Sequence, residues 1–181
     1  MAYCKKLIGK HCYLSPISLE DAERYTQWLN DLEVARTLQT ADQVITAHGE
    51  VRFLETLSQG HNYGIVDIKT DELLGNCGFV SLDDRNRSGE AGIFIGRKDF
   101  WGQGIGTEAL RLLIRYGFDY LNLHSILIRV YEMNDRGLAC YKKIGFREIG
   151  RQRQALCREG RYWDIIHLDL LREEFDWRPG K

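Results

Sequence analysis

The sequence predicts an α+β fold, a mixed α/β sandwich with a mostly antiparallel sheet flanked by helices. Three observations carry this. Helical periodicity dominates residues 18–57, and alternation with period two takes over between Tyr63 and Ile95. A long apolar helix follows a glycine-rich turn. Strand and helix patterns then alternate to the end of the chain.

The elements follow in order. Residues 6–15 mix Leu7, Ile8, Tyr13 and Leu14 and read as a strand stopped by Pro16. Ser18 precedes Leu19-Glu20-Asp21, an N-cap with acids in the first turn, and Ala22, Tyr25, Trp28 and Leu29 continue at helical spacing. Further helical patches lie near Leu32–Leu38 and Val51–Leu57, joined by a polar loop around Thr40–His48. Tyr63–Ile68 and Leu73–Leu82 form a hairpin around Lys69–Glu72. In Gly89–Ile95, Ala91, Ile93 and Ile95 fall on one face and Phe94 on the other.

Residues 105–121 read as a helix with two apolar stripes, so it is covered on most sides. Ser125–Tyr131 is a strand. Asp135 can cap a short helix that carries Leu138 and Tyr141 and stops at Gly145. Phe146–Ile149 and Tyr162–Leu171 close the chain as strands.

The chain has 181 residues and reads as one domain over 1–181. Its 25 basic and 26 acidic side chains balance, which argues against DNA or membrane-surface binding driven by bulk charge. Cys4, Cys12, Cys77, Cys140 and Cys157 are odd in number and form no C-x-x-C pair. They suit neither a disulfide framework nor a metal site, and idle thiols in a reducing compartment are the simpler reading. No stretch approaches the roughly 18 apolar residues of a membrane span, so a cytoplasmic location is expected.

Trp101-Gly-Gln-Gly-Ile-Gly-Thr is the most informative turn. The first amides of the following helix have no intrahelical acceptor, glycine permits close approach, and the macrodipole attracts an anion such as a pyrophosphate. The Walker spacing is absent, and Thr107 stands where G-x-G-x-x-G needs its third glycine. A tight turn that binds nothing uses the same residues.

Trp101–Leu110, WGQGIGTEAL, resembles the acyl-CoA pyrophosphate loop R/Q-x-x-G-x-G/A of the GNAT N-acetyltransferases. Asn134–Phe146, NDRGLACYKKIGF, resembles the second block of that family, N-x-x-[AS]-x-x-x-Y-x-K-x-G-F. Both ends of the chain are similar to the RimJ/RimL-like branch, which includes ribosomal-protein N-terminal and spermidine/spermine acetyltransferases. Trp101 departs from the usual Arg or Gln. A loop that binds through backbone amides tolerates the change, and Trp101 is expected to pack the loop.

The resemblance implies acetyl-CoA as cosubstrate, no metal, and a primary amine as acceptor, either a small molecule or a protein N-terminus. It implies that backbone at Phe94 and Ile95 pairs with the pantetheine arm. Amides of Gln103, Gly104, Ile105, Gly106 and Thr107 would cradle the pyrophosphate, and Asn134 would bond the arm. Tyr141 would be the general acid, and Arg136, Lys142 or Lys143 would meet the 3′-phosphate. A homodimer is a family-based expectation.

Chemistry supports these roles. An amine of pKa about 10.4 is neutral in roughly one molecule in 10³ at pH 7, so a base must take its proton. Glu90 leads as that base, with Asp83 and Asp84 nearby. Solvated hairpin-end acids are the alternative for each. A phenol near pKa 10 donating to a thiolate near 8.5 is uphill by about 2 kcal/mol, which needs no large pKa shift. A catalytically silent CoA-binding sensor is the competing class.

Overall fold

The computed structural model describes residues 3–177. Its eight strands form a mixed sheet in the order β1-β2-β3-β4-β5-β6-β8-β7. The chain divides into two compact units, residues 3–79 with 93–113, and residues 80–92 with 114–177. β4 (Leu73–Asp83), β5 (Ser88–Ile95) and α4 (Ile105–Asp119) contribute residues to both.

In the first unit the strand expected over 6–15 is a hairpin, β1 (Leu7–Ile8) and β2 (Cys12–Pro16). The turn closes where Gly9 N–H meets the Cys12 carbonyl at 2.9 Å. Here β2, β3 (Asn62–Asp67) and β4 pair antiparallel, with a bulge at Ile65/Val66. Ser18 caps a short 3-10 turn over Leu19–Asp21 that leads into α1 (Ala22–Asn30). Asp31 caps α2 (Leu32–Ala35), and Thr46 caps α3 (Ala47–Ser58) through a 3.1 Å bond from Gly49 N–H. Asn30 orders the polar loop, because its side-chain amide both donates to Ile45 O (2.7 Å) and accepts from Ile45 N–H (3.1 Å).

The apolar spacing of α1 explains its packing. Tyr25, Trp28 and Leu29 are buried with Leu54 of α3 and with Tyr13, Val66 and Leu73 of the strands. Each such side chain contributes roughly 1.5–3 kcal/mol of hydrophobic stabilisation.

In the second unit β5 pairs parallel with β6 (Ser125–Tyr131), which pairs antiparallel with β8 (Arg161–Leu171). The strand expected over Tyr162–Leu171 is β8, and the one before it is longer than the sequence suggests. β7 runs Arg147–Arg158, and its bulges at Glu148/Gly150 and Gln152/Leu156 interrupt the alternation that marks a strand. Glu159 and Gly160 both have positive φ (54° and 73°), the conformation of a tight two-residue hairpin turn. Ile126, Ile128 and Val130 stand opposite Leu170, Leu168 and Ile166, and all six are buried.

Candidate active site

The residues expected at the site divide between the two units. In the first, Phe94 and Ile95 end β5. Phe94 turns to α1, with ring centroids 5.9 Å from Tyr25 and 6.3 Å from Trp28. Ile93 and Ile95 face the other way. A Cβ added to Gly106 would lie 3.9 Å from Ile93 Cδ1 and 3.7 Å from Ile95 Cγ1. The alternation read from the sequence therefore holds.

Between β5 and α4 the chain passes through Gly102 (φ +75°) and Gly104 (φ +85°). L-residues avoid this left-handed region, so backbone conformation is what demands glycine here. A Cβ at either position would meet nothing within 4 Å, so the exposed turn has open space above its backbone. Gly104 O accepts from Glu108 N–H at 3.0 Å and thus begins the α4 ladder. Ile105 and Gly106 consequently lie in the turn whose amides lack an i−4 carbonyl in the helix. An anionic diphosphate fits this cradle.

Two side chains hold the turn. Trp101 Nε1 donates to Ile95 O at 2.8 Å, and Gln103 Nε2 donates to Asp99 O at 2.5 Å. Trp101 thus packs the loop, as expected. Glu108, in the first turn of α4, accepts from the backbone N–H groups of Lys10 and His11 and secures the β1–β2 turn.

In the second unit the N-cap of α5 (Asp135–Ile144) is Asn134 rather than Asp135. Its Oδ1 accepts from Gly137 N–H at 2.9 Å, so this oxygen is occupied and the side-chain NH₂ is the donor left for a ligand. The helix ends in a Schellman motif. Phe146 N–H reaches Tyr141 O (3.1 Å), Gly145 N–H reaches Lys142 O (3.1 Å), and Gly145 has φ +120°. The accompanying apolar contact is Tyr141 against Phe146, with ring centroids 6.1 Å apart.

Tyr141 is buried at 6% exposure, and burial pushes its phenol well above the ordinary tyrosine value. The uphill transfer of about 2 kcal/mol applies to an ordinary phenol, and burial departs from that starting point. The phenol is a weaker acid in the free protein than 2 kcal/mol of uphill transfer assumes.

Glu90 is held by Arg129, whose Nε lies 2.6 Å from Glu90 Oε1. Asp83 accepts from Asn86 N–H (2.9 Å) and Asn86 Nδ2 (2.7 Å), which hold its carboxyl below the usual range. It is a turn-forming acid. Arg136 lies in the first turn of α5 and Lys142 and Lys143 in its last, all three exposed. Arg136 and Lys143 are separated by about 10 Å along the helix axis.

The sequence reading missed Arg129 as the partner of Glu90. A lone charge within the apolar run Ser125–Tyr131 was the available signal. Glu108 gave none, since its partners are backbone groups almost a hundred residues away.

A mixed sheet with an open glycine turn between a strand and a helix is the arrangement that the comparisons with known proteins also find. Residues 11–147 match the family model described as the acetyltransferase (GNAT) domain. The chain belongs to the GNAT acetyltransferase family and is an N-acetyltransferase. It is 32% identical over 167 residues to an uncharacterized N-acetyltransferase p20 of Bacillus licheniformis, covering 90% of this chain and 93% of that one. It is 31% identical over 186 residues to the putative ribosomal N-acetyltransferase YdaF of Bacillus subtilis, covering 97% and 98%. The spermidine N-acetyltransferase of Vibrio cholerae, solved with CoA and spermine, superimposes with a TM-score of 0.81 over 91% of this chain and 97% of that chain. At 19% identity this last likeness speaks for the fold alone.

Proposed function

We propose that the chain, as one catalytic domain over 1–181, moves the acetyl group of acetyl-CoA directly to a primary amine. The observation that carries this reading is the turn at Gly102 and Gly104, left-handed at both glycines and open above the backbone. The acceptor is a protein N-terminus, a polyamine or another small amine, and the relative named as a putative ribosomal N-acetyltransferase supports the first of these.

Acetyl-CoA supplies the acyl group and a thiolate leaving group. Amides of residues 103–107 hold its pyrophosphate, the backbone at Phe94 and Ile95 aligns its arm, and Asn134 donates to the arm through Nδ2. A backbone N–H at the end of β5 stabilises the charge that develops on the acyl oxygen. Glu90, steadied by Arg129, takes the amine proton, and Tyr141 gives its phenolic proton to the departing sulfur. Burial that weakens the phenol as an acid also destabilises a poorly solvated thiolate, so both partners of the proton transfer shift in the same direction.

The experiment is thiol release from acetyl-CoA over a panel of spermidine, ribosomal-protein N-terminal peptides, an aminoglycoside and free amino acids. Release with one member far above the no-amine rate is expected. Tight CoA binding with no release for any amine would favour the silent sensor.

A further inference from the structure

The segment from Gly96 to Trp101 joins β5 to the glycine turn, and it is held residue by residue. Gly96 N–H and Arg97 N–H both donate to Leu74 O, at 2.8 and 3.1 Å. The Trp28 indole lies so close to Gly96 that a Cβ there would stand 2.1 Å from Trp28 Cδ2. Arg97 grips Asp99 with two bonds (2.9 and 2.7 Å) and reaches Glu72 with a third (3.0 Å). Asp99 O in turn accepts from Gln103 inside the glycine turn.

Lys98 connects this segment to the helices. Its Nζ lies 2.7 Å from Asp31 Oδ2 and 2.9 Å from Glu33 Oε2. Asp31 uses its other oxygen, Oδ1, to cap α2 through Glu33 N–H at 2.9 Å. One carboxylate therefore both starts α2 and anchors the approach to the glycine turn. Lys98 holds that carboxyl below its usual range, and the two acids push the Lys98 ammonium up. The path from the α2 cap to the turn is short: Asp31, Lys98, Asp99, Gln103.

We propose that Lys98 is a positioning residue that couples the start of α2 to the glycine turn, so that CoA seated on the turn also orders residues 32–38. This rests on the acetyl-CoA reading. The three side chains are partly exposed, and an exposed pair adds little to global stability. The effect of Lys98 is therefore read in coupling rather than in melting temperature. Coupling is reciprocal: ordering α2 must tighten CoA by the same factor that CoA orders α2.

The test is amide hydrogen exchange on the full chain with and without CoA, for wild type, Lys98→Ala and Lys98→Arg. In wild type, CoA is expected to slow exchange across 102–107 and, by about fivefold, across 32–38. In Lys98→Ala the first protection remains and the second is lost. Lys98→Arg, which preserves the charge, restores it. Protection of 32–38 that survives in Lys98→Ala, or that is missing from wild type while 102–107 is protected, overturns the coupling alone. Absence of protection at 102–107 in wild type overturns the coupling together with the CoA reading beneath it.

Discussion

The indole Nε1 of Trp101 donates a 2.8 Å hydrogen bond to the carbonyl of Ile95. Six residues apart in sequence, they close the chain between the end of β5 and the glycine turn into a fixed loop. The position that departs from the family pattern thus has a structural duty of its own. Trp101→Phe keeps the ring and removes the donor. A stability loss of about 1 kcal/mol is expected by denaturant unfolding, since a part-buried hydrogen bond is lost. Calorimetry should show weaker CoA binding, with the turn no longer tied to the strand.

The two kinds of glycine in the turn should respond differently to alanine. Gly104 sits at φ +85°, where a Cβ costs roughly 1–2 kcal/mol. Gly106 is helical, and an added Cβ finds ordinary contacts at 3.7 and 3.9 Å. Gly104→Ala should raise the KM for acetyl-CoA about tenfold if that strain distorts the cradle, by the factor of ten per 1.4 kcal/mol. Gly106→Ala should stay close to wild type. Steady-state kinetics on the two variants checks this contrast.

Tyr141→Phe should lower kcat by about 10²–10³ while CoA affinity stays near the wild-type value, the pattern expected when a general acid is removed. Burial raises the phenol's folded-state pKa above its unfolded value. The phenol is therefore protonated through and beyond pH 10, and an alkaline fall in kcat below that pH must come from another group. The linked stability is fully present below pH of about 10 and declines as pH rises further, because the unfolded phenol ionises first. A pH–rate profile of wild type and variant tests both statements.

Glu50 offers a test of the helical layer. It is a buried carboxyl of α3 at 3% exposure, and burial raises its pKa. Tyr25, buried in the same layer, has a hydroxyl with no hydrogen-bond partner among the described residues. A carboxyl with a raised folded-state pKa stabilises the fold below its unfolded pKa, and that contribution is lost as pH rises through the raised value. Glu50→Gln should therefore gain Tm at pH 8, by about 2–4 °C for each kcal/mol relieved, and gain little at pH 4. Thermal melts at the two pH values decide it.

Local signals explain what the sequence makes legible. Gly145 at the end of α5, the alternation in Gly89–Ile95 and the glycine turn all act within a few residues, and they appear in the structure as a helix stop, a strand and a turn. The misreadings involve distance or irregularity. A strand over 6–15 hides the turn at Gly9, and the cap of α5 passes from Asp135 to Asn134, since either residue type can accept the amide bond. The bulged β7 loses its period. The Glu90–Arg129 pair depends on parallel register between β5 and β6, which no short-range pattern specifies. The weakened acidity of Tyr141 depends on what buries it, and that is a property of packing.

Acetyl transfer to nitrogen is the central claim, and it is tested most directly by following the acetyl group itself. Acetyl-CoA labelled in the acetyl carbonyl is incubated with the protein and the amine that gives the fastest thiol release, and the label is located by mass spectrometry. The account requires the label on the amine nitrogen with wild type and a large loss of that product with Tyr141→Phe. Label retained on CoA, or equal product from wild type and Tyr141→Phe, would contradict it.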